Sequence, residues 1–149
     1  MEQLTAFLKR FGRRSGARYW VGPRPEARAK ALPRAIASMV GYPTSVDGWT
    51  DRYDLQQIDR ETAAQVLAFA ATESMAYGQH GSPREGHRKL ASAALESFNG
   101  DAVFLTNTAD WIKGGSVTWS VTLTDATFET GLIAYDAANA LIYWVEEED

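Results

Sequence analysis

The sequence contains no cysteine and only two histidines among its 149 residues. Without cysteine there are no disulfides, zinc–thiolate sites or cysteine nucleophiles. Histidine is the usual general base near neutral pH, so His80 and His87 are the only candidates for that role. Their spacing matches no metal-binding helix signature such as His-Glu-x-x-His. We therefore predict no metal site, no cofactor and no catalysis.

Long apolar runs are also missing. None approaches the roughly 18 residues needed to span a membrane, and the first ten residues lack the apolar core of a signal peptide. The glycine-rich segments match neither a phosphate-binding loop nor a dinucleotide fingerprint, and no Gly-x-Ser-x-Gly elbow is present. We expect a cytoplasmic protein with no membrane partner.

Charge is distributed unevenly along the chain. The net charge is −4, but residues 1–34 carry nine Lys or Arg and two Glu, whereas residues 35–149 carry six basic and seventeen acidic residues. Such a split is typical of pairing between the two halves, of separate interaction faces, or of a nucleic-acid-binding arm. Pairing or simple solvation is the ordinary interpretation, and pairing between subunits would make a homodimer.

The first half of the chain contains two predicted helices. Leu4, Phe7 and Leu8 recur at helical spacing, which predicts a helix over 4–11 that ends at Gly12. A second helix is predicted over about 26–39, with Pro33 limiting its regularity. Between them we expect an irregular segment with a short extended piece at 18–21. Residues 41–58 are predicted to form a long loop.

Two central helices have the clearest signals. Asp59 is a good N-cap for a helix that should run to about Tyr77, because apolar residues recur along one face after it. Ser82 to Glu85 then matches a capping box, with Pro83 at the first helical position and Glu85 at the third. That second helix should end at Asn99-Gly100.

After residue 100 the period changes from helical to two. Strands are predicted at Ala102–Thr106 and at Val117–Leu123, where apolar and polar residues alternate. Residues 131–135 and 140–145 are apolar runs joined by Asp136-Ala137-Ala138-Asn139, which predicts a β-hairpin with both faces covered. We predict one α+β domain over residues 1–149, with N-terminal helices packed on a C-terminal antiparallel sheet.

The best candidate for carboxylate chemistry is the predicted loop around Trp49. Asp47, Asp51 and Asp54 lie close together there, with Tyr53 also nearby. Paired carboxylates perform acid–base work on glycosides, and aromatic rings stack on sugars. A small hydrolase is therefore one alternative function, although turn formation is the ordinary role of such aspartates.

The basic segment 9–34 suggests a second alternative. Its arginines, among them Arg13, Arg14 and Arg18, interleave with Tyr19 and Trp20. Cations follow a phosphate backbone and aromatic rings stack on bases, so this composition suits single-stranded nucleic acid. The strongly acidic remainder of the chain would repel a polyanion.

The acidic run at the C-terminal end suggests a third function. Glu146, Glu147, Glu148 and Asp149 directly follow Trp144-Val145, the end of a predicted core strand. Carboxylates held on rigid structure focus an electric field and steer a cationic partner, although terminal charges are ordinarily just solvated. We predict a partner-binding acidic surface that also includes Asp125 and Glu129, with Trp119 or Trp111 as an aromatic anchor.

The segment from Trp119 to Asp149 resembles the C-terminal end of small bacterial immunity-type proteins. The similarity rests on Thr127-Phe128-Glu129-Thr130-Gly131 and on Trp144 to Asp149, with Met75-Ala76-Tyr77 as a second point. The resemblance implies a cytoplasmic α+β protein that neutralises a cognate secreted toxin, of the polymorphic, contact-dependent or type VI kind. It covers about the last fifth of the chain and carries over no functional residue.

Overall fold

The computed structural model describes residues 1–42, 53, 55–73, 83–107, 123 and 128–147. Its elements in chain order are α1 (Glu2–Phe11), β1 (Ala17–Pro23), α2 (Leu32–Ser38), β2 (Gln56–Ile58), α3 (Arg60–Thr72), α4 (Glu85–Leu95), β3 (Val103–Thr106), β4 (Phe128–Tyr135) and β5 (Asn139–Glu147). The predicted α+β class is confirmed. None of these described helices has the length and apolar character needed to cross a membrane.

The five described strands form one antiparallel sheet in the order β1-β5-β4-β3-β2. The predicted hairpin is confirmed as β4–β5, with Tyr135 opposite Ala140 at its closed end. The Asp136 carboxylate builds the turn, since its Oδ1 accepts the backbone N–H groups of Ala138 (2.9 Å) and Asn139 (2.8 Å). This is the local hydrogen bonding by which aspartate favours turns.

Asp136 also joins the hairpin to the end of α4. Its Oδ2 accepts the backbone N–H of Asn99 at 3.0 Å. Burial opposes ionisation of this carboxyl, but the N–H groups of Asn99, Asn139 and Ala138, helped by Arg24, outweigh it and lower the pKa of Asp136. A carboxylate that accepts several backbone N–H groups is stabilised in its charged form.

The sheet has two differently covered faces because successive residues of a strand point to opposite sides. We call the face packed against α1, α3 and α4 the helical face, and the opposite one, packed against α2, the α2 face. From the two hairpin strands the helical face receives Leu132, Ala134, Leu141, Tyr143 and Val145. The α2 face receives Ile133, Ala140, Ile142 and Trp144. The hairpin is thus buried on both sides, as predicted.

The N-terminal elements differ from expectation in their bounds. α1 is confirmed, and Gly12 follows it and donates its N–H to Leu8. The predicted extended piece is β1, which joins the sheet beside β5. α2 begins at Leu32 rather than at 26, and Pro33 lies in its first turn. Proline has no N–H to donate and fits only a first turn, so the helix starts next to it.

The end of the segment predicted as a loop, 41–58, is a strand: β2 pairs with β3. The sequence did not predict it, because Gln56-Gln57-Ile58 shows no alternation by itself. β3 is confirmed at the position predicted for it. Of the strand predicted at 117–123, only Leu123 is a described residue; it is buried and lies outside the described strands.

α3 starts as predicted, with Asp59 accepting the N–H of Thr62 at 2.7 Å. It ends at Thr72 rather than near Tyr77, because Glu73 adopts an extended conformation. The guanidinium of Arg14 donates to the carbonyl of Ala70 in the last turn. An arginine from another segment thus satisfies a carbonyl that a longer helix would have bonded internally.

The predicted capping box of α4 is wrong. Glu85 is the first helical residue rather than the third, and Arg84 at the N-cap makes no side-chain capping bond. Arg84 is extended (φ −55°, ψ 140°), so the helix begins only after it. The helix ends at Leu95 rather than at Asn99-Gly100. The Arg60 guanidinium donates to the carbonyls of Leu95, Phe98 and Asn99 in this segment.

Candidate functional site

The basic start and the acidic end of the chain meet where β1 pairs with β5. Ala17 lies opposite Val145 and Arg18 opposite Trp144. The ladder continues beyond these pairs, because the N–H of Glu146 donates to the carbonyl of Gly16 at 3.0 Å. Glu146 and Glu147 are therefore part of β5 and have positions fixed by the sheet.

Gly16 makes this approach of the two strands feasible. Its φ is +81°, a left-handed conformation that side-chain-bearing residues rarely adopt. A Cβ at this position would also overlap the carbonyl oxygen of Glu146. The turn between α1 and β1 consequently needs glycine for two independent reasons.

Two ion pairs hold the first carboxylates of the acidic run. Arg14 contacts Glu147 at 3.4 Å and Arg18 contacts Glu146 at 3.5 Å. The two pairs lie on opposite sides of the sheet, because consecutive strand residues point to opposite faces. The uneven charge of the sequence is thus partly explained by pairing between the basic and acidic halves.

Each of these arginines makes a second contact that fixes its position. Arg14 donates to Ala70 at the end of α3, on the helical face. Arg18 donates to the carbonyl of Val40 at 3.1 Å, and its guanidinium lies 4.9 Å from the centre of the Tyr42 ring. The edge of the sheet near Glu146 and Glu147 is therefore built from several chain segments.

Tyr42 is buried beneath Arg18. Burial raises the pKa of its hydroxyl, and the nearby Glu146 carboxylate raises it further. Within the described residues this hydroxyl has no hydrogen-bond partner. Tyr42 stays neutral at physiological pH and acts as a packing surface for the arginine.

Glu129 does not lie on an acidic surface, contrary to the prediction. Glu129 is 1% exposed and lies opposite Glu146 where β4 pairs with β5. Its Oε2 accepts the indole N–H of Trp144 at 2.6 Å and the backbone N–H of Leu123 at 2.9 Å. Buried carboxylates need such donors, and Glu129 anchors residue 123 to the sheet.

The sequence contained a signal for the burial of Glu129. Residues 129, 131 and 133 alternate along one strand, and Ile133 belongs to the core of the α2 face. A glutamate in phase with buried positions of a two-sided strand is itself expected inside.

Several other residues to which the sequence analysis gave a functional role lie outside the described part of the chain. They are Asp125, Glu148, Asp149, Trp119 and Trp111 of the acidic surface, Asp47, Asp51, Asp54 and Trp49 of the hydrolase alternative, and His80. Tyr53 is described and is buried against the α2 face. Of the predicted partner-binding residues, the structure brings together Glu129, Glu146 and Glu147.

Tyr19 on β1 is an exposed aromatic residue that is not among the predicted partner-binding residues. It is 41% exposed, and its ring contacts Gly12 at the end of α1. Its neighbour across the ladder, Tyr143, is buried and donates its hydroxyl to the carbonyl of Phe11 at 2.8 Å. Burial raises the pKa of Tyr143 to about 12.

His87 lies on α4. It contacts Phe11 edge-on, with ring centres 5.9 Å apart, between α4 and α1. Among the described residues, no three His, Asp or Glu side chains cluster as they would around a metal ion.

Comparison of this chain with protein-family models, with curated proteins and with solved structures finds no match.

Proposed function

We propose that this chain is an immunity-type protein that binds and neutralises a cognate bacterial toxin in the cytoplasm. The toxin would contact the end of the sheet where β1 pairs with β5. The observation that carries the proposal is that the acidic run begins inside a buried strand, so its first carboxylates are held in fixed positions. An inhibitor needs such a rigid, chemically distinctive surface and no catalytic groups.

The negative charge of Glu146 and Glu147 is more nearly balanced by arginines than the sequence suggested. Glu146 and Glu147 each have an arginine partner. In the sequence two further carboxylates follow them, Glu148 and Asp149. A basic toxin surface would be steered by that charge and by the acidic excess of residues 35–149.

Tyr19 is the aromatic anchor that the described structure offers. Large, partly exposed aromatic residues supply much of the binding energy at protein interfaces. Tyr19 lies on β1, the strand that contains Arg18, and its ring is backed by Gly12. Tyr19 lies opposite Tyr143 and so points to the helical face, where a toxin that covers it would reach the Arg14–Glu147 pair as a polar rim.

The proposal is tested by co-expressing the full chain with the product of the adjacent upstream gene. We expect that product to stop growth when expressed alone and this chain to restore growth and to bind it directly. Tyr19→Ala should weaken binding about tenfold, the usual effect of removing an anchor. Leu90→Ala, which truncates an equally exposed residue on α4, is the control.

The acidic run is tested by a second pair of variants. Glu148→Ser with Asp149→Ser should weaken binding at low salt and flatten its salt dependence. Glu96→Ser with Asp101→Ser removes the same charge from exposed positions elsewhere and should leave binding unchanged. An upstream product that is harmless, or a toxin that does not bind this chain, would refute the proposal.

The two alternatives stay predictions. For nucleic-acid binding, two of the three key arginines already contact carboxylates, Arg14 with Glu147 and Arg18 with Glu146. Salt-sensitive retention of RNA that Arg13→Ala abolishes would favour that alternative. Hydrolysis by Asp47, Asp51 and Asp54 would be shown by a glycosidase activity that Asp51→Asn removes.

A further inference from the structure

A cleft of about 470 Å³ lies between α2 and the α2 face of the sheet. We call it the α2 cleft. Its apolar walls include Pro33, Val103, Leu105 and Tyr135, and its cationic side chains are Lys30 and Arg34. Small-molecule sites commonly have volumes of about 300 to 1,000 Å³ and combine apolar walls with a few polar groups.

The described part of the chain buries the α2 face unevenly. α2 packs against the core residues Ile142 and Trp144. Val103 lies opposite Tyr135, and Leu105 lies opposite Ile133, so their side chains point to this same face. Unlike Ile142 and Trp144, the side chains of Val103, Leu105 and Tyr135 are only partly buried.

Within the described residues, the lining of the α2 cleft is positively charged. Lys30 and Arg34 line it, and none of the described lining residues is a carboxylate. A third cation is close, since the Arg24 guanidinium lies 5.2 Å from the centre of the Tyr135 ring. The adjacent Asp136 carboxylate is occupied by the backbone N–H groups of Asn99, Ala138 and Asn139.

Lys30 is available for such a ligand. It is exposed, and within the described part of the chain it forms no ion pair. Arg34 is more deeply placed and lies over the ring of Tyr53, with 5.8 Å from the guanidinium carbon to the ring centre. An exposed lysine and a more deeply placed arginine, both beside an apolar wall, suit a ligand that is apolar with one charged end.

We propose that the α2 cleft binds a small aromatic anion. The carboxylate or phosphate of the ligand contacts Lys30 and Arg34, and its ring lies against Val103, Leu105 and Tyr135. This inference does not rest on toxin binding, because β4 and β5 separate the cleft-lining strand β3 from β1.

The test uses the fluorescent aromatic sulfonate 1-anilinonaphthalene-8-sulfonate, titrated into the folded full-length chain. We expect one saturable site whose affinity falls as salt concentration rises. Lys30→Gln should weaken binding about fivefold, as expected for a partly exposed charge contact. Val103→Phe fills the cleft without changing its charge and should weaken binding at least as much.

The matched control is Lys89→Gln, which removes an exposed cation from α4 on the helical side. It should bind the probe like the wild type. Competition separates two kinds of ligand: displacement by benzoate indicates a carboxylate, and displacement by adenosine monophosphate indicates a phosphate ester. Circular dichroism and the thermal midpoint establish that each variant is folded.

Probe binding that is unchanged in both folded variants, Lys30→Gln and Val103→Phe, would overturn the proposal. So would non-saturable binding, since that would mark general apolar exposure rather than a site. These outcomes leave toxin binding untouched, because Tyr19, Glu146 and Glu147 are not among the residues that line the cleft.

Discussion

The two faces of the sheet are stabilised differently. On the helical face, three helices bury apolar residues that need no directional partner, among them Leu67, Phe69, Leu95 and Leu132. On the α2 face, one short helix covers part of the sheet, and apolar Ile142 and Trp144 share it with the buried Glu129 carboxylate and with Arg18. The α2 face therefore combines apolar burial with charged groups that need specific partners.

The helical face is stabilised mainly by apolar burial, which is non-directional. The buried Glu129 carboxylate of the α2 face instead depends on specific hydrogen-bond donors, Trp144 and Leu123. Three sets of substitutions test how much such polar contacts contribute, from the largest expected effect to the smallest.

Glu129→Ala should have the largest effect. It leaves the indole N–H of Trp144 and the N–H of Leu123 without their acceptor, which we expect to lower the free energy of unfolding by about 3 kcal/mol. Glu129→Gln keeps an acceptor oxygen and should cost about 1 kcal/mol. Urea unfolding measures both. A loss below that of the glutamine variant would show that Glu129 does not organise this face.

Asp136→Asn should have an intermediate effect, because it keeps the shape of the turn and removes its charge. We expect a loss of about 1.5 kcal/mol near neutral pH. The pKa of Asp136 is lowered in the folded state, so this stabilisation is fully present above the unfolded pKa of about 3.9 and is lost as pH falls further.

The difference in unfolding free energy between wild type and Asp136→Asn should therefore be constant from about pH 5 to 7 and shrink below about pH 4. Thermal unfolding at several pH values measures it. A difference that grows on acidification would mean that the carboxyl is protonated more readily in the folded state. The Asn99 contact would then need another explanation.

The Arg18–Glu146 pair should have the smallest effect. Arg18 is substantially exposed, so solvent screens the pair and we expect a coupling of about 0.5 kcal/mol. A double-mutant cycle with Arg18→Ala and Glu146→Ala measures the coupling, which should decline with salt. A coupling above about 2 kcal/mol at high salt would show that water is excluded from this ion pair as it is from the protein interior.

Elements with strong local signals were predictable from the sequence. α1, β3 and the β4–β5 hairpin follow from apolar spacing and from the turn chemistry of Asp136, which act over a few residues. The N-cap at Asp59 is also local. Helix ends were less predictable, because Arg14 and Arg60 satisfy carbonyls of α3 and α4 from distant positions in the chain.

The candidate site was predictable only in part. The sequence indicated a rigid start to the acidic run, and β5 does include Glu146 and Glu147. It did not indicate that these two carboxylates point to opposite faces and meet different arginines. The α2 cleft was not predicted, because its lining residues come from α2, β2, β3 and β4 and only the tertiary fold brings them together.

The sequence by itself determined the α+β class and the hairpin at the centre of the sheet, because periodicity and turn chemistry are local properties. The charge asymmetry between the two ends of the chain is likewise a property of the sequence. The partial cancellation of this asymmetry between β1 and β5, and the donation of hydrogen bonds from Trp144 and Leu123 to Glu129, depend on the folded structure. The physical reason is that strand pairing brings residues more than a hundred positions apart within contact distance, and no local pattern specifies that register.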